Sequence, residues 1–365
     1  MKGEALKMCW ILLAIPVGLV LLTAMMLLAV RAVHAGQYKI SSETGIDERV
    51  TIDINGIHQP LHIRGEDLSN PVMIFLHGGP GSPMGFVAPY YQRPIEETFT
   101  VIHYDQRGCG RTYYANRESH DPLTTEQLER DLDGIVDYAR ERFGCEKVVI
   151  MGHSWGTVLG ALYAHDHPEK IQAYIGVSQG VNNLYQGKMV LGEKALALAE
   201  NADQADAEKL SAALERMQPV QTLDEMDLND LMTVSSLSAK YLSCDGEMSS
   251  LGQVWTGITS PYMNFTDVRW FLHMSDTQAF FAEQEDLMQE AFFDFDLNAL
   301  GREWDFPMYF ICGSNDCAIP QEATAAYYET LTAPDKGIVT IENSGHSPFM
   351  DKPDEFAAAV LGFFE

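Results

Sequence analysis

KVVIMGHSWGTVLGALYA, residues 147–164, decides the fold. KVVIM is a continuous apolar run of the kind that makes a strand buried on both faces. TVLGALYA opens with small residues and reads as the first turns of a helix. Between them stands Gly152-His153-Ser154-Trp155-Gly156. A serine at a strand-to-helix turn sits on a sharp, strained bend, and flanking glycines let neighbouring segments come close enough for its oxygen to stand clear. The bare pattern G-x-S-x-G is weak, because with glycine at about 7% of residues a chain this long matches it by chance roughly one time in ten. Gly176-Val177-Ser178-Gln179-Gly180 matches it as well. That second match follows a strand but runs into VNNLYQGK, which has no tight helical start. Ser154 is therefore taken as the nucleophile, and Ser178 as a strand-end residue facing the same cleft.

Outward from this turn, strands and helices alternate. Upstream, VTIDI and HQPLHIRG flank Asn55-Gly56 and read as a hairpin. PVMIFLH (71–77) and TFTVIHYD (98–105) are further apolar runs. LTTEQLERDLDGIVDYARERFG (123–144) has helical spacing, with Thr124 and Gln127 placed as a capping box and Gly144 as a stop. Downstream come a helix over 157–170 and the strand IQAYIGVS (171–178). After residue 304 the rhythm resumes with PMYFICG, a helix through QEATAAYYETL, the strand KGIVTIEN and a last helix from about Pro353. Continuous apolar strands separated by helices predict a parallel sheet covered on both faces. Residues 182–303 break the rhythm and read as a helical insertion, a cap over the sheet.

A serine nucleophile needs a base, and the base needs an orienting carboxylate. His153 adjoins Ser154 in sequence and is expected to point away. His77 lies in a glycine loop and reads as structural; His165 and His167 lie on a helix and read as exposed. His346 follows the last strand in Asn343-Ser344-Gly345-His346, where a base could reach down. Asp316 follows PMYFICGSN at another strand end. Ser154, Asp316 and His346 thus stand at three strand ends in the chain order of the α/β-hydrolase fold. His77-Gly78-Gly79-Pro80-Gly81 follows an early strand and can aim the Gly79 amide at a developing oxyanion, with the Trp155 amide as the second donor.

HGGPGSP, DQRGCGRT (105–112), GHSWGT and the late GSND and SGHSP together resemble the proline iminopeptidase family of α/β-hydrolases. The similarity covers about residues 50–184 and 304–365. The resemblance implies a mostly parallel eight-stranded sheet with helices on both faces, a helical cap, no metal or other cofactor, and release of N-terminal residues, often proline, from peptides. Cap glutamates bind the substrate's free amine in that family, but no family motif matches in this cap. Ser82-Pro83 and Thr157 stand where proline-specific members often have glycines, a departure that bears on proline specificity rather than on hydrolysis. Two other readings stay open: a carboxylesterase acting on small esters, and a catalytically silent, membrane-tethered binding protein.

Residues 9–30 are an apolar run of 22 residues without a charge, preceded by Lys2 and Lys7 and followed by Arg31. As a helix it would span about 33 Å, close to a bilayer's hydrocarbon thickness. A signal peptide cleaved after Val33-His34-Ala35 competes with this reading, but the run exceeds the usual ~7–15 apolar residues and Arg31 intrudes before the site. The expectation is a membrane anchor over 1–35, then a hydrolase core over 36–181 and 304–365 interrupted by the cap. The lysines ahead of the run put the core on the extracytoplasmic side.

The formal charge of −28 argues against nucleic-acid binding, which needs basic patches. Residues 185–300 hold 20 Asp and Glu against 6 Lys and Arg, half of that net charge in under a third of the chain. Most of these carboxylates read as solvated helix faces, with one or two left to select a substrate bearing a free α-amine. Six scattered cysteines (9, 109, 145, 244, 312 and 317) make neither a zinc site nor a disulfide framework, so free thiols are expected. The sequence leaves the oligomeric state open.

Overall fold

A computed structural model describes residues 2–119, 122–243 and 245–365, with side chains from residue 15 onward. Cys244 and the Cys9 side chain lie outside the described residues. The chain opens with helix α1 (Lys2–Gln37), followed by strands β1 (Ile46–Ile54), β2 (Ile57–Gly65) and β3 (Val72–Leu76). Helix α2 (Ala88–Gln92), β4 (Thr100–Tyr104), α3 (Gly110–Ala115) and α4 (Thr125–Phe143) come next. Then come β5 (Val148–His153), α5 (Trp155–Asp166) and β6 (Ile171–Val177). The segment between β6 and β7 is helical: α6 (Leu184–Ala199), α7 (Gln204–Met217), α8 (Leu228–Leu242), α9 (Ser250–Thr259), α10 (Phe265–Met274), α11 (Thr277–Glu283) and α12 (Glu285–Gln289). The chain closes with β7 (Met308–Gly313), α13 (Gln321–Thr330), β8 (Lys336–Ile341), α14 (Pro348–Asp351) and α15 (Pro353–Gly362).

The eight strands form one sheet in the order β1-β2-β4-β3-β5-β6-β7-β8. β1 pairs antiparallel with β2, and β2 with β4; the other pairs are parallel. The hairpin turns at Asn55 and Gly56, both at positive φ, as the twist of a two-residue turn requires. Alternate residues of each central strand enter opposite cores. Val72, Ile74, Leu76, Val148 and Ile150 pack on one face, and Met73, Phe75, Val149 and Met151 on the other. This two-sided burial is why those strands read as unbroken apolar runs. β1 is an edge strand and alternates between outward and inward residues.

α4 shows how sequence sets a helix here. Leu128, Leu132, Ile135, Val136 and Ala139 recur on one face and are buried, each large aliphatic contributing roughly 1.5–3 kcal/mol. Thr124 caps the first turn by accepting from the Gln127 amide, and Gly144 ends the helix in the left-handed region. The reciprocal arm of the expected capping box is absent, because the Gln127 side chain donates to Asp131, which also holds the buried Arg107. α5 stops at Asp166, short of the expected residue 170, because His167 precedes Pro168 and is pushed out of the helical region. α1 carries the N-terminal apolar run. Its segment Ile15–Gln37 is long and apolar enough to cross a membrane, and that hydropathic stretch is not buried against the rest of the chain.

Candidate active site

Ser154 follows β5 as the N-cap of α5 with φ 54° and ψ −122°, the strained bend expected of the strand-to-helix turn, and it is buried. Glycine is obligatory at Gly156, where a Cβ would lie 2.1 Å from the Leu76 carbonyl oxygen. That close approach seats the start of α5 directly on the end of β3. The Ser154 Oγ has no hydrogen-bond partner among the described residues.

Asp316 and His346 meet across the loops that follow β7 and β8. The His346 Nδ1 lies 3.0 and 2.9 Å from the two Asp316 carboxylate oxygens. Burial works to raise the Asp316 pKa, yet the His346 imidazole and the amides of Ile319 and Ala318 together hold it below the ordinary range. With Nδ1 committed to Asp316, Nε2 is the ring nitrogen left to serve a nucleophile.

The link back to the Ser154 turn runs through its neighbour. The His153 Nε2 donates to the His346 carbonyl oxygen at 2.9 Å, and the two rings lie 4.9 Å apart between centroids, tilted by 47°. His153 makes no hydrogen bond to the Ser154 hydroxyl among the described residues and instead supports the loop that carries His346. Burial and the neighbouring His346 lower its pKa to about 3, so it is neutral. Its Nδ1 is buried without a partner, as suits a proton on Nε2. Ser178 Oγ donates to the same His346 carbonyl at 3.0 Å. The serine of the second G-x-S-x-G match is thus buried beneath the same loop, and no helix follows it until Leu184.

Gly78 passes over the serine. A Cβ on Gly78 would meet the Ser154 Cβ at 3.0 Å. Gly79 has φ 118°, and a Cβ there would stand 2.6 Å from the Gly81 nitrogen. Neither the Gly79 nor the Trp155 amide donates a hydrogen bond among the described residues. His77 is structural, as expected. Its Nε2 accepts from the Gln106 amide at 3.0 Å, its Nδ1 donates to Gly78, and burial lowers its pKa to about 4. Gln106 also accepts from the Trp155 indole, so DQRG ties the glycine loop to the serine turn.

The segment between β6 and β7 reaches this site from several elements. The Trp270 indole of α10 donates to the Gly81 carbonyl at 2.8 Å. Residues 246–248 press on the His346 loop. The Met248 amide donates to Asp351, whose other oxygen receives Ser344 and Gly345. The half-buried Glu247 carboxylate lies so near that a Cβ on Gly345 would stand 1.7 Å from it. Cys317, next to Asp316, has its thiol pushed up to about 11 by burial and then by the Glu247 and Asp316 carboxylates, with Lys188 of α6 opposing. Burial lowers the Lys188 pKa, against the pull of Cys317 and Asp316. Glu247 and Lys188 were invisible as site residues in the sequence, because neither sits in a motif.

Much of the acidity elsewhere in this segment has local work. Asp203, Asp227, Asp276 and Asp296 are helix N-caps. Asp206, Asp230 and Asp267 pair with Lys240, Arg216 and Arg111. Cys109, Cys145, Cys312 and Cys317 are free thiols. Among the described residues no cluster of His, Cys, Asp or Glu is arranged to hold a metal.

The sequence matches the family described as the alpha/beta hydrolase fold over residues 71–353. The chain belongs to that family. This α/β-hydrolase is similar to a probable aminopeptidase, YbaC, of Bacillus subtilis (strain 168), at 28% identity over 310 residues, 84% of this chain and 92% of that one. It is 26% identical over 328 residues to a proline iminopeptidase of Heyndrickxia coagulans, covering 86% and 96% of the two chains. The crystal structure of a proline iminopeptidase from Mycobacterium smegmatis superposes with a TM-score of 0.59 at 18% identity over 87% of this chain and 97% of that one, a likeness of fold. The chain is accordingly a proline iminopeptidase-like α/β-hydrolase, and a hydrolase by family.

Proposed function

We propose that this hydrolase is a serine aminopeptidase of the proline iminopeptidase type, with Ser154, Asp316 and His346 as its triad. The observation that carries the reading is the Asp316–His346 pair, mounted on a loop bonded to the residue before the strained Ser154. His346 takes the Ser154 proton as Oγ attacks a carbonyl carbon, and Asp316 holds the imidazole and its charge. The Gly79 and Trp155 amides receive the oxyanion, one such donor being worth roughly 10²–10³ in rate. His346 then returns the proton to the leaving amine, and water resolves the acyl-enzyme. The names of the Bacillus and Heyndrickxia relatives, together with Glu247 beside the His346 loop, favour a peptide substrate with a free amine over a small ester. A panel of aminoacyl-naphthylamides against simple acyl esters tests this. A preference of about tenfold or more in kcat/KM for the aminoacyl amides is expected, and a preference for the esters would replace the peptidase with an esterase.

In this reading residues 1–35 anchor the enzyme in a membrane, 36–181 and 304–365 form an extracytoplasmic core, and 182–303 form the cap. The full-length chain is expected to sediment with membranes and to be released by detergent but not by high salt. Recovery of a soluble chain beginning near Gly36 would show instead that the apolar run is a removed signal peptide.

A further inference from the structure

Helices α9 and α10 carry their apolar stripes outward. On α9, Leu251, Val254 and Trp255 are 82, 58 and 54% exposed at the spacing of one helix face. On α10, Phe265, Val268 and Leu272 repeat the pattern at 74, 38 and 68%, with Phe271 beside them. Outside α1, seven of the eleven exposed large hydrophobics among the described residues sit on these two helices; Leu68, Val190, Leu198 and Met232 lie apart. Scattered apolar residues are normal on a protein surface, whereas two adjoining stripes mark an interaction surface.

The opposite faces are fixed to the body of the enzyme. Asp267 pairs with Arg111, Trp270 donates to Gly81, and the Ser260 hydroxyl between the helices donates to the Phe86 carbonyl. The stripes therefore cannot turn inward. α1 leaves the body at the same spot. Arg31, which ends the apolar run, donates to the carbonyls of Ile258, Pro261 and Met263 at 3.1, 3.4 and 2.7 Å, between the end of α9 and the start of α10. His34 meets the Thr259 carbonyl at 3.1 Å, and the buried Arg64 of β2 holds the Tyr38 carbonyl. The anchor is thus bolted to the enzyme at the junction of the two helices that carry the apolar stripes.

We propose that α9 and α10 lie on the lipid bilayer, their stripes buried in the boundary between headgroups and acyl chains around the exit of α1. The proposal rests on α1 spanning the membrane. The chemistry suits that depth: an amphipathic Trp255 at the interface, and the exposed Arg269, with its guanidinium 4.3 Å from the Tyr114 ring, at the level of anionic headgroups. The enzyme would then be held in one orientation, with α10, which covers the Gly81 loop, on the lipid side.

The test uses the full-length protein in nanodiscs containing anionic lipid. A fluorescent dansyl amino acid replaces Leu22, Phe265, Leu272 or Leu198, one at a time, and quenching by doxyl-labelled lipid is compared with quenching by aqueous iodide. Leu22 reports on the anchor, and Leu198 is an exposed control. Lipid quenching at positions 265 and 272 is expected to exceed that at 198 by about fivefold, as for groups lying ~5–10 Å into the interface. Iodide quenching at both positions equal to that at 198, with position 22 still quenched by lipid, would overturn the inference and leave the anchor standing. Positions 265 and 272 shielded from both quenchers would point to a chain–chain contact and overturn it as well. Position 22 unquenched by lipid would remove the anchor, and the inference with it.

Discussion

Replacing Ser154 by alanine is expected to abolish labelling by a fluorophosphonate probe and to lower kcat by on the order of 10⁴–10⁶-fold, leaving only what binding and the oxyanion donors supply. Ser178→Ala is the informative partner, because its serine sits in the same sequence pattern. Its hydroxyl donates to the His346 carbonyl, which also receives His153. Losing one of two donors should cost about 1 kcal/mol of stability and shift kcat by no more than about tenfold. Labelling should persist at the same serine, read by mass spectrometry of the modified peptide. Labelling that survives Ser154→Ala would sink the assignment of the nucleophile. Folding of each variant is checked by its melting transition, since the Ser154 bend is strained and alanine must adopt its positive φ.

The strands were legible because burial on both faces leaves an unbroken apolar signature, as in VVIM of β5. α4 was legible because burial on one face leaves a stripe. Motif residues were legible because the elbow and the glycine loop place chemical demands on short stretches of chain: Gly156 must be bare for Leu76 to approach. What was not legible is contact between distant segments. No local rule brings His153 and Ser178 onto the carbonyl of a residue more than 160 positions downstream. Nor does a rule send the Gln127 side chain to Asp131 rather than back to its own cap. The stripe of α9 has the same spacing as a core-facing stripe, and the tertiary contacts of Thr259, Ser260 and Arg31 turn it outward. The expectation that most of the carboxylates lie on solvated helix faces left out their local partners. Many of them cap helices or pair locally, as Asp203, Asp227 and Asp230 do.

Glu247 is a cap carboxylate set against the His346 loop, and acetylating the substrate's α-amine is expected to expose its role. The half-buried carboxylate lies against Gly345, and a carboxylate partly shielded from water would hold an ammonium more strongly than a surface pair does. Removing one partner of such a pair costs about 2–5 kcal/mol, partly through the charge left unpaired. Acetylation should therefore lower kcat/KM by roughly 10²–10³-fold in the native enzyme. Glu247→Gln keeps the shape and removes the charge. It should lower kcat/KM for the free amine by a similar factor and bring the ratio of free to acetylated turnover close to one. Asp245→Asn, two residues away and exposed, should leave the ratio unchanged. Moderate salt should not erase the preference, since screening acts mainly on exposed charges. The rate of fluorophosphonate labelling separates a recognition defect from a damaged His346 loop, because the probe carries no amine and should react equally with the native and Glu247→Gln enzymes. Slowed labelling would mean that Glu247 supports the loop rather than the substrate. Equal turnover of free and acetylated substrates by the native enzyme would remove the aminopeptidase reading and put the esterase in its place.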